Sequence, residues 1–98
     1  MEKRTPHCTL TRVKALVDAG NVRTTHAARI EANEVGLVFS DILSVVQALT
    51  PADFYKSMTT HADHKVWQDV YRPSTRAGDV YLKLTIINDV LIVSLKEL

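Results

Sequence analysis

Residues 53–73, DFYKSMTTHADHKVWQDVYRP, set two tyrosines, an amide and several cations on two adjacent extended segments, where a buried sheet would carry aliphatic side chains. Tyr55, Lys56, Gln68, Tyr71 and Arg72 alternate with Ser57, Thr59 and Asp69, so neither face of the pair is plainly apolar. Rings that can stack on bases, beside cations that seek phosphate, point to a polyanion site, with RNA the first choice. A solvated face whose Lys and Arg stems lie along the strands accounts for the same spacing. The elements around this stretch have to separate the two readings.

The second half of the chain runs at period two. Residues 54–60, 66–72, 79–87 and 90–96 each read as a strand, divided by polar or Gly/Pro-bearing turns. The first half reads as helices. Thr9 caps a helix presenting Leu10, Val13, Leu16 and Val17 on one side and stopping at Gly20. Thr24 caps a second, through Ala27, Ala28, Ile30 and Ala32 to Gly36, and Ser40 precedes a third carrying Ile42, Leu43, Val45, Val46 and Leu49. Thr50-Pro51-Ala52-Asp53 predicts a single helical turn, and 21–23 and 37–39 are weak extended pieces. With no repeat or linker, residues 1–98 form one α+β domain, N-terminal helices packed on a C-terminal antiparallel sheet.

The last hairpin fixes more. A two-residue loop at Asn88-Asp89 sets Ile87 against Val90, Leu84 against Val93 and Leu82 against Leu95. Val80, Leu82, Leu84 and Ile86 then share an apolar face with Leu91, Val93 and Leu95. The opposite face carries Lys83, Thr85 and Ser94, and sets Tyr81 directly across from Lys96. Such partners have Cβ atoms about 4.5–5.5 Å apart, so a phenol and an ammonium meet on the polar face. As an edge pair alone this contributes under about 1 kcal/mol. For the 54–60/66–72 pair, any even register puts Lys56, Met58, Gln68, Val70 and Arg72 on one face, and an odd one separates Lys56 from Gln68. Residues 61–65 permit either parity.

Composition narrows the classes. Hydrophobic content of 46% and charged content of 23% are those of an ordinary globular domain. A net charge of +1 lacks the basic excess of many nucleic-acid binders, so any RNA contact depends on locally gathered cations and is salt-sensitive. Cys8 is the single cysteine, which excludes an intramolecular disulfide and a cysteine-rich metal site. The charged start MEKRTPH has no apolar segment behind it and no run of about 18 apolar residues occurs, so the expectation is a cytoplasmic protein without membrane contact.

Taken together, these stretches resemble the MqsR (motility quorum-sensing regulator) toxin family. The resemblance spans the chain in register: MEKRTPH at the start, VRTT at 22–25, DFYKSMTT at 53–60, WQDVYRP at 67–73, VYLK at 80–83 and VLIVS at 90–94. It implies a RelE-like toxin fold and a type II toxin–antitoxin partner: an endoribonuclease that cuts mRNA without a metal or other cofactor, at GCU-like sites. It implies neutralisation by a zinc-containing antitoxin, through whose complex alone DNA is contacted. By the same resemblance Lys56, Gln68, Tyr81 and Lys96 are the catalytic residues, and Tyr55, Met58 and Arg72 flank them as RNA contacts. Cys8, His26 and the HADHK loop at 61–65 are particular to this sequence.

The implied reaction is attack of a ribose 2′-OH on the adjacent phosphate, with Lys56 and Lys96 supplying charge, Arg72 placing a phosphate, Gln68 orienting the substrate and Tyr81 moving a proton. Nearby ammonium groups are expected to favour the Tyr81 phenolate, although a reference pKa of about 10 makes it a reluctant base at neutral pH. His7 or His61 is an alternative base. His61, Asp63 and His64 have the types of a metal cluster but no ordered further ligand, and a polar loop accounts for them. A non-catalytic RNA- or protein-binding adaptor or co-repressor using the same sheet is the alternative function.

Overall fold

Three nine-residue helices precede the four long strands of the sheet, each started by a side-chain acceptor that takes up an otherwise orphaned backbone N–H. In this computed structural model, which describes residues 1–98, α1 is Leu10–Asp18 with Thr9 Oγ1 accepting from Arg12 N. Helix α2 is His26–Glu34, capped by Thr25 and not Thr24. Thr24 belongs instead to strand β2 (Val22–Thr24), and the Thr25 hydroxyl accepts from Ala28 N while donating to Val93 O. Helix α3, Phe39–Gln47, starts ahead of Ser40: the Asp41 carboxylate reaches back to Val38 N at 2.8 Å. That start also removes the extended piece expected at 37–39. Gly20 and Gly36 end α1 and α2 at φ 81° and 80°, a conformation that any side chain would strain. Pro51–Asp53 is the expected single turn, with Asp53 accepting from Thr50 N.

The four expected strands are present as β3 (Phe54–Thr59), β4 (Trp67–Tyr71), β6 (Gly78–Ile86) and β7 (Val90–Glu97). Strand β5 (Ser74–Thr75) folds back on the start of β6, and β1 (Glu2–Lys3) adds to β3. The sheet order is β1-β3-β4-β6-β7-β2. The β2–β7 pair is parallel, so the sheet is mixed and not wholly antiparallel. One cluster of 15 buried residues joins Val13 and Val17 of α1, Ala28 and Ala32 of α2 and Ile42 and Val46 of α3 to Tyr71, Leu82, Leu84, Val90, Ile92 and Leu95 of the sheet. The fold is thus α+β with the helices on one sheet face.

The β6–β7 hairpin departs from the expected ladder and then returns to it. Three residues, 87–89, form the loop, so Ile86 opposes Val90 and Leu84 opposes Ile92. A bulge at Val93 supplies the missing residue, and beyond it Lys83 opposes Ser94, Leu82 opposes Leu95 and Tyr81 opposes Lys96. The expected core positions Leu91 and Val93 are accordingly only half-buried, and Val90 and Ile92 fill the core in their place. The Tyr81–Lys96 pairing holds because the longer loop and the bulge offset each other.

Candidate active face

Strand parity sorts the side chains. Strands β3 and β4 pair with Lys56 opposite Val70, Ser57 opposite Asp69 and Met58 opposite Gln68, the even register. Strand β6 continues the rows, with Lys83 opposite Val70 and Leu84 opposite Asp69. Opposed residues point the same way, so Lys56, Met58, Gln68, Tyr81, Lys83 and Lys96 share the face away from the helices. Val70, fully buried, floors it. All four residues expected to be catalytic are brought to this one surface.

At one side of the face a register shift between Phe54 and Lys56 swings Tyr55 out of the ladder. Its ring collects cations: the Arg72 guanidinium lies 4.6 Å from the ring centre, Lys56 Nζ 5.3 Å and the Arg4 guanidinium 5.5 Å. Arg4 also donates to Tyr55 O. A ring with cations on its flanks is suited to stacking a base while phosphates are held nearby. Met58 sits beside Gln68, half-buried, as an apolar neighbour to that amide.

The electrostatics depend on two carboxylates that the sequence reading did not include. Glu2 of β1 holds Lys56 Nζ at 2.7 Å. The hydrogen bond and charge of Glu2 raise the Lys56 pKa, keeping it an ammonium. Glu31 of α2 accepts from Ser94 Oγ and Leu95 N, and its other oxygen lies 4.0 Å from Lys96 Nζ. Tyr81 contradicts expectation. Partial burial raises its pKa and outweighs Lys56, which pulls it down, so the group is a phenol and not a phenolate. Lys83 moves the other way from Lys56: burial first, then the charges of Lys96 and Lys56, lower its pKa.

Other groups lie off this face. His7 stacks on Trp67, ring centres 5.4 Å apart, and its N–H donates to Asp69, so it belongs to the opposite side and cannot serve as the base there. Asp63 spends its carboxylate on Lys65 N within the 61–65 loop, as a polar turn does. Cys8 is half-buried, with burial raising its pKa, which disfavours a reactive thiolate. Glu2 had no detectable signal because a two-residue strand has no periodicity, and Arg4 because it lies just past that strand. Lys83 was placed on the right face, but nothing in its spacing tied it to the site.

The face therefore gathers ammonium and guanidinium groups, an aromatic ring, an amide and a phenol, the group types that a ribose-directed phosphoryl transfer calls for. No helix is long and apolar enough to cross a membrane. A curated protein of Escherichia coli (strain K12), "mRNA interferase toxin MqsR", is 60% identical over 97 residues, covering 99% of either chain. The profile of the family described as "Motility quorum-sensing regulator, toxin of MqsA" matches residues 5–97. The chain belongs to the motility quorum-sensing regulator toxin family.

Proposed function

We infer that this chain is a toxin with endoribonuclease activity, an mRNA interferase that arrests translation and growth by cutting messages. The observation that carries the reading is the meeting of Lys56, Gln68, Tyr81 and Lys96 on one open sheet face in a member of this family. Lys56, held as an ammonium by Glu2, and Lys96, facing Glu31, stabilise the charge that builds on the phosphorane. Arg72, beside Tyr55, grips a flanking phosphate while the ring stacks a base. Gln68 and its neighbour Met58 orient the nucleotide. Tyr81, protonated, delivers a proton to the departing 5′-oxygen. The products are a 2′,3′-cyclic phosphate and a 5′-hydroxyl, with no metal or cofactor required and with GCU-like sites preferred.

The family description, toxin of MqsA, supports an antitoxin partner. We take it to be a zinc-containing protein that adds a strand to an exposed sheet edge and mediates any DNA contact, both toxin and antitoxin residing in the cytoplasm. Amide protection confined to a helix face would contradict the edge mode.

The test is to incubate purified protein with naked RNA and chelator and to sequence the fragment ends. Cyclic-phosphate ends at a repeated triplet are expected. Lys56→Ala and Lys96→Ala should remove product while most RNA remains bound, and Tyr81→Phe should slow cleavage by roughly 10²–10⁴-fold with the fold intact. Variants that lose only binding, with no fragments from the parent protein, would mark an adaptor.

A further inference from the structure

The reaction proposed above leaves one proton unaccounted for. Tyr81 is a phenol and can give a proton but is poorly disposed to take one. Lys56 is hydrogen-bonded to Glu2, which keeps that amine charged, and Lys96, largely exposed, lies 4.0 Å from Glu31 at the margin of the face. No histidine lies on the paired strands of the face: His7 is stacked behind the sheet on Trp67, His26 begins α2, and His61 and His64 sit in the exposed loop between β3 and β4. Something else must remove the 2′ proton.

Lys83 is the remaining amine. It sits at the middle of the face, opposite Val70 on β4 and Ser94 on β7. Its Nζ lies 5.8 Å from the centre of the Tyr81 ring. It enters none of the four ion pairs of the molecule. Lys56 stands two strands away in the same row, about 10 Å between Cβ atoms at the usual strand spacing, and Lys96 is its diagonal neighbour on β7. An amine half-buried over the Val70 floor, between two others that have claimed the available carboxylates, is the one whose neutral form the site favours.

We propose that Lys83 is a catalytic residue of this face, its neutral amine taking the 2′-hydroxyl proton as the 2′-oxygen attacks phosphorus. This assignment rests on the nuclease reading. The 2′-O–H bond breaks and the proton joins the Nζ lone pair. The 2′-oxygen–phosphorus bond forms, the phosphorus–5′-oxygen bond breaks, and the leaving oxygen takes the Tyr81 proton. Lys83 ends as ammonium and Tyr81 as phenolate, and passage of one proton between these near neighbours, directly or through water, restores both. The charged or titratable groups facing Lys83 are Lys56 of β3, Glu2 of β1, Tyr81 of its own strand, Lys96 of β7 and Glu31 of α2, while β4 offers the uncharged Gln68 and Val70 and, just past its end, Arg72 against Tyr55. The lowered Lys83 pKa agrees with this use, since burial and the two flanking ammoniums outweigh Glu31.

The test uses the full chain on a short RNA, with the 2′-deoxy analogue as a binding probe. Lys83→Arg carries a permanent charge and cannot shed a proton. It should bind the analogue at least as tightly as the parent and lose about 10²–10⁴-fold in cleavage. Lys83→Ala should lose the acid limb of the kcat/KM profile and regain activity with added primary amines, in proportion to their neutral fraction. Should the alanine variant fail to fold, the arginine variant still decides. Arginine cleaving within about tenfold of the parent would reduce Lys83 to a source of charge and overturn the proposal. So would an acid limb that survives in Lys83→Ala. Failure of the parent itself to cut RNA would sink the nuclease reading, and this assignment with it; parent cleavage with an active arginine variant sinks only the assignment.

Discussion

Removing the Asp69 carboxylate tests how the N-terminal segment is held and, through it, how Lys56 is poised. Asp69 lies on the helix side of β4 and is 2% exposed. One oxygen accepts from His7 N at 2.9 Å and from Ser57 Oγ at 2.6 Å, and the other accepts from Cys8 N at 3.0 Å. Hydrogen bonds to an ionised acceptor contribute about 1.5–3 kcal/mol each. A simple sum overstates the loss, because His7 is exposed and can turn its N–H to water, whereas Ser57 is wholly buried and cannot. Asp69→Ala should therefore cost about 3–4 kcal/mol, a large part of the roughly 5–15 kcal/mol available to a domain of this size. Asp69→Asn keeps one acceptor but turns an NH2 toward the other donors, and should cost about 1–3 kcal/mol. Urea unfolding at constant slope measures both, and hydrogen exchange at His7 and Cys8 shows whether the loss is local. An alanine variant within about 1 kcal/mol of the parent, or undiminished protection at those amides, would refute this account of the clamp.

Tyr71 reverses the logic, since its hydroxyl is buried with no hydrogen-bond partner. Tyr71→Phe should be neutral or stabilising by up to about 1 kcal/mol, and a clear loss of urea stability would contradict the burial argument. Burial raises the Tyr71 pKa, so the folded state holds that proton more tightly than the unfolded chain; stability should fall as pH climbs past about 10, where a free tyrosine titrates, and Tyr71→Phe should flatten that fall in thermal melts. Arg72→Ala should weaken RNA binding at every sequence and reduce the slope of log affinity against log salt by about 0.7; an unchanged slope would remove Arg72 from the phosphate path. Glu2→Gln should tighten RNA binding, because substrate phosphate no longer competes with a carboxylate for Lys56, and fluorescence anisotropy showing weaker binding would argue that Glu2 positions that lysine instead.

The sequence made the central features legible wherever periodicity was long. Strands of five to nine residues gave the faces of β3, β4, β6 and β7, and hence the shared surface of Lys56, Gln68, Tyr81 and Lys96. The capping hydroxyl of Thr9 and the stops at Gly20 and Gly36 followed from local chemistry alone. What escaped was short or tertiary. β1 and β2 have two and three residues, too few for alternation to show. The caps of α2 and α3 were set by contacts outside the helices: Thr24 was claimed by the sheet, and Asp41 reached back past Ser40. The protonation of Tyr81 depended on burial, which opposes the neighbouring charges and is invisible in spacing.

The extra residue at Val93 has a consequence for assembly. Past Ile92, where β2 ends, the outer margin of β7 would stand ready to template a foreign strand. Instead, the carbonyl of Val93 is plugged by the Thr25 hydroxyl and the amide of Leu95 by Glu31. A newcomer on that flank finds its docking groups already taken by α2, and only the three residues of β2 remain beyond. Growth of the sheet through backbone pairing is thereby steered to the far border, where β1 covers β3 with just two residues, within reach of the pair that links Glu2 to Lys56.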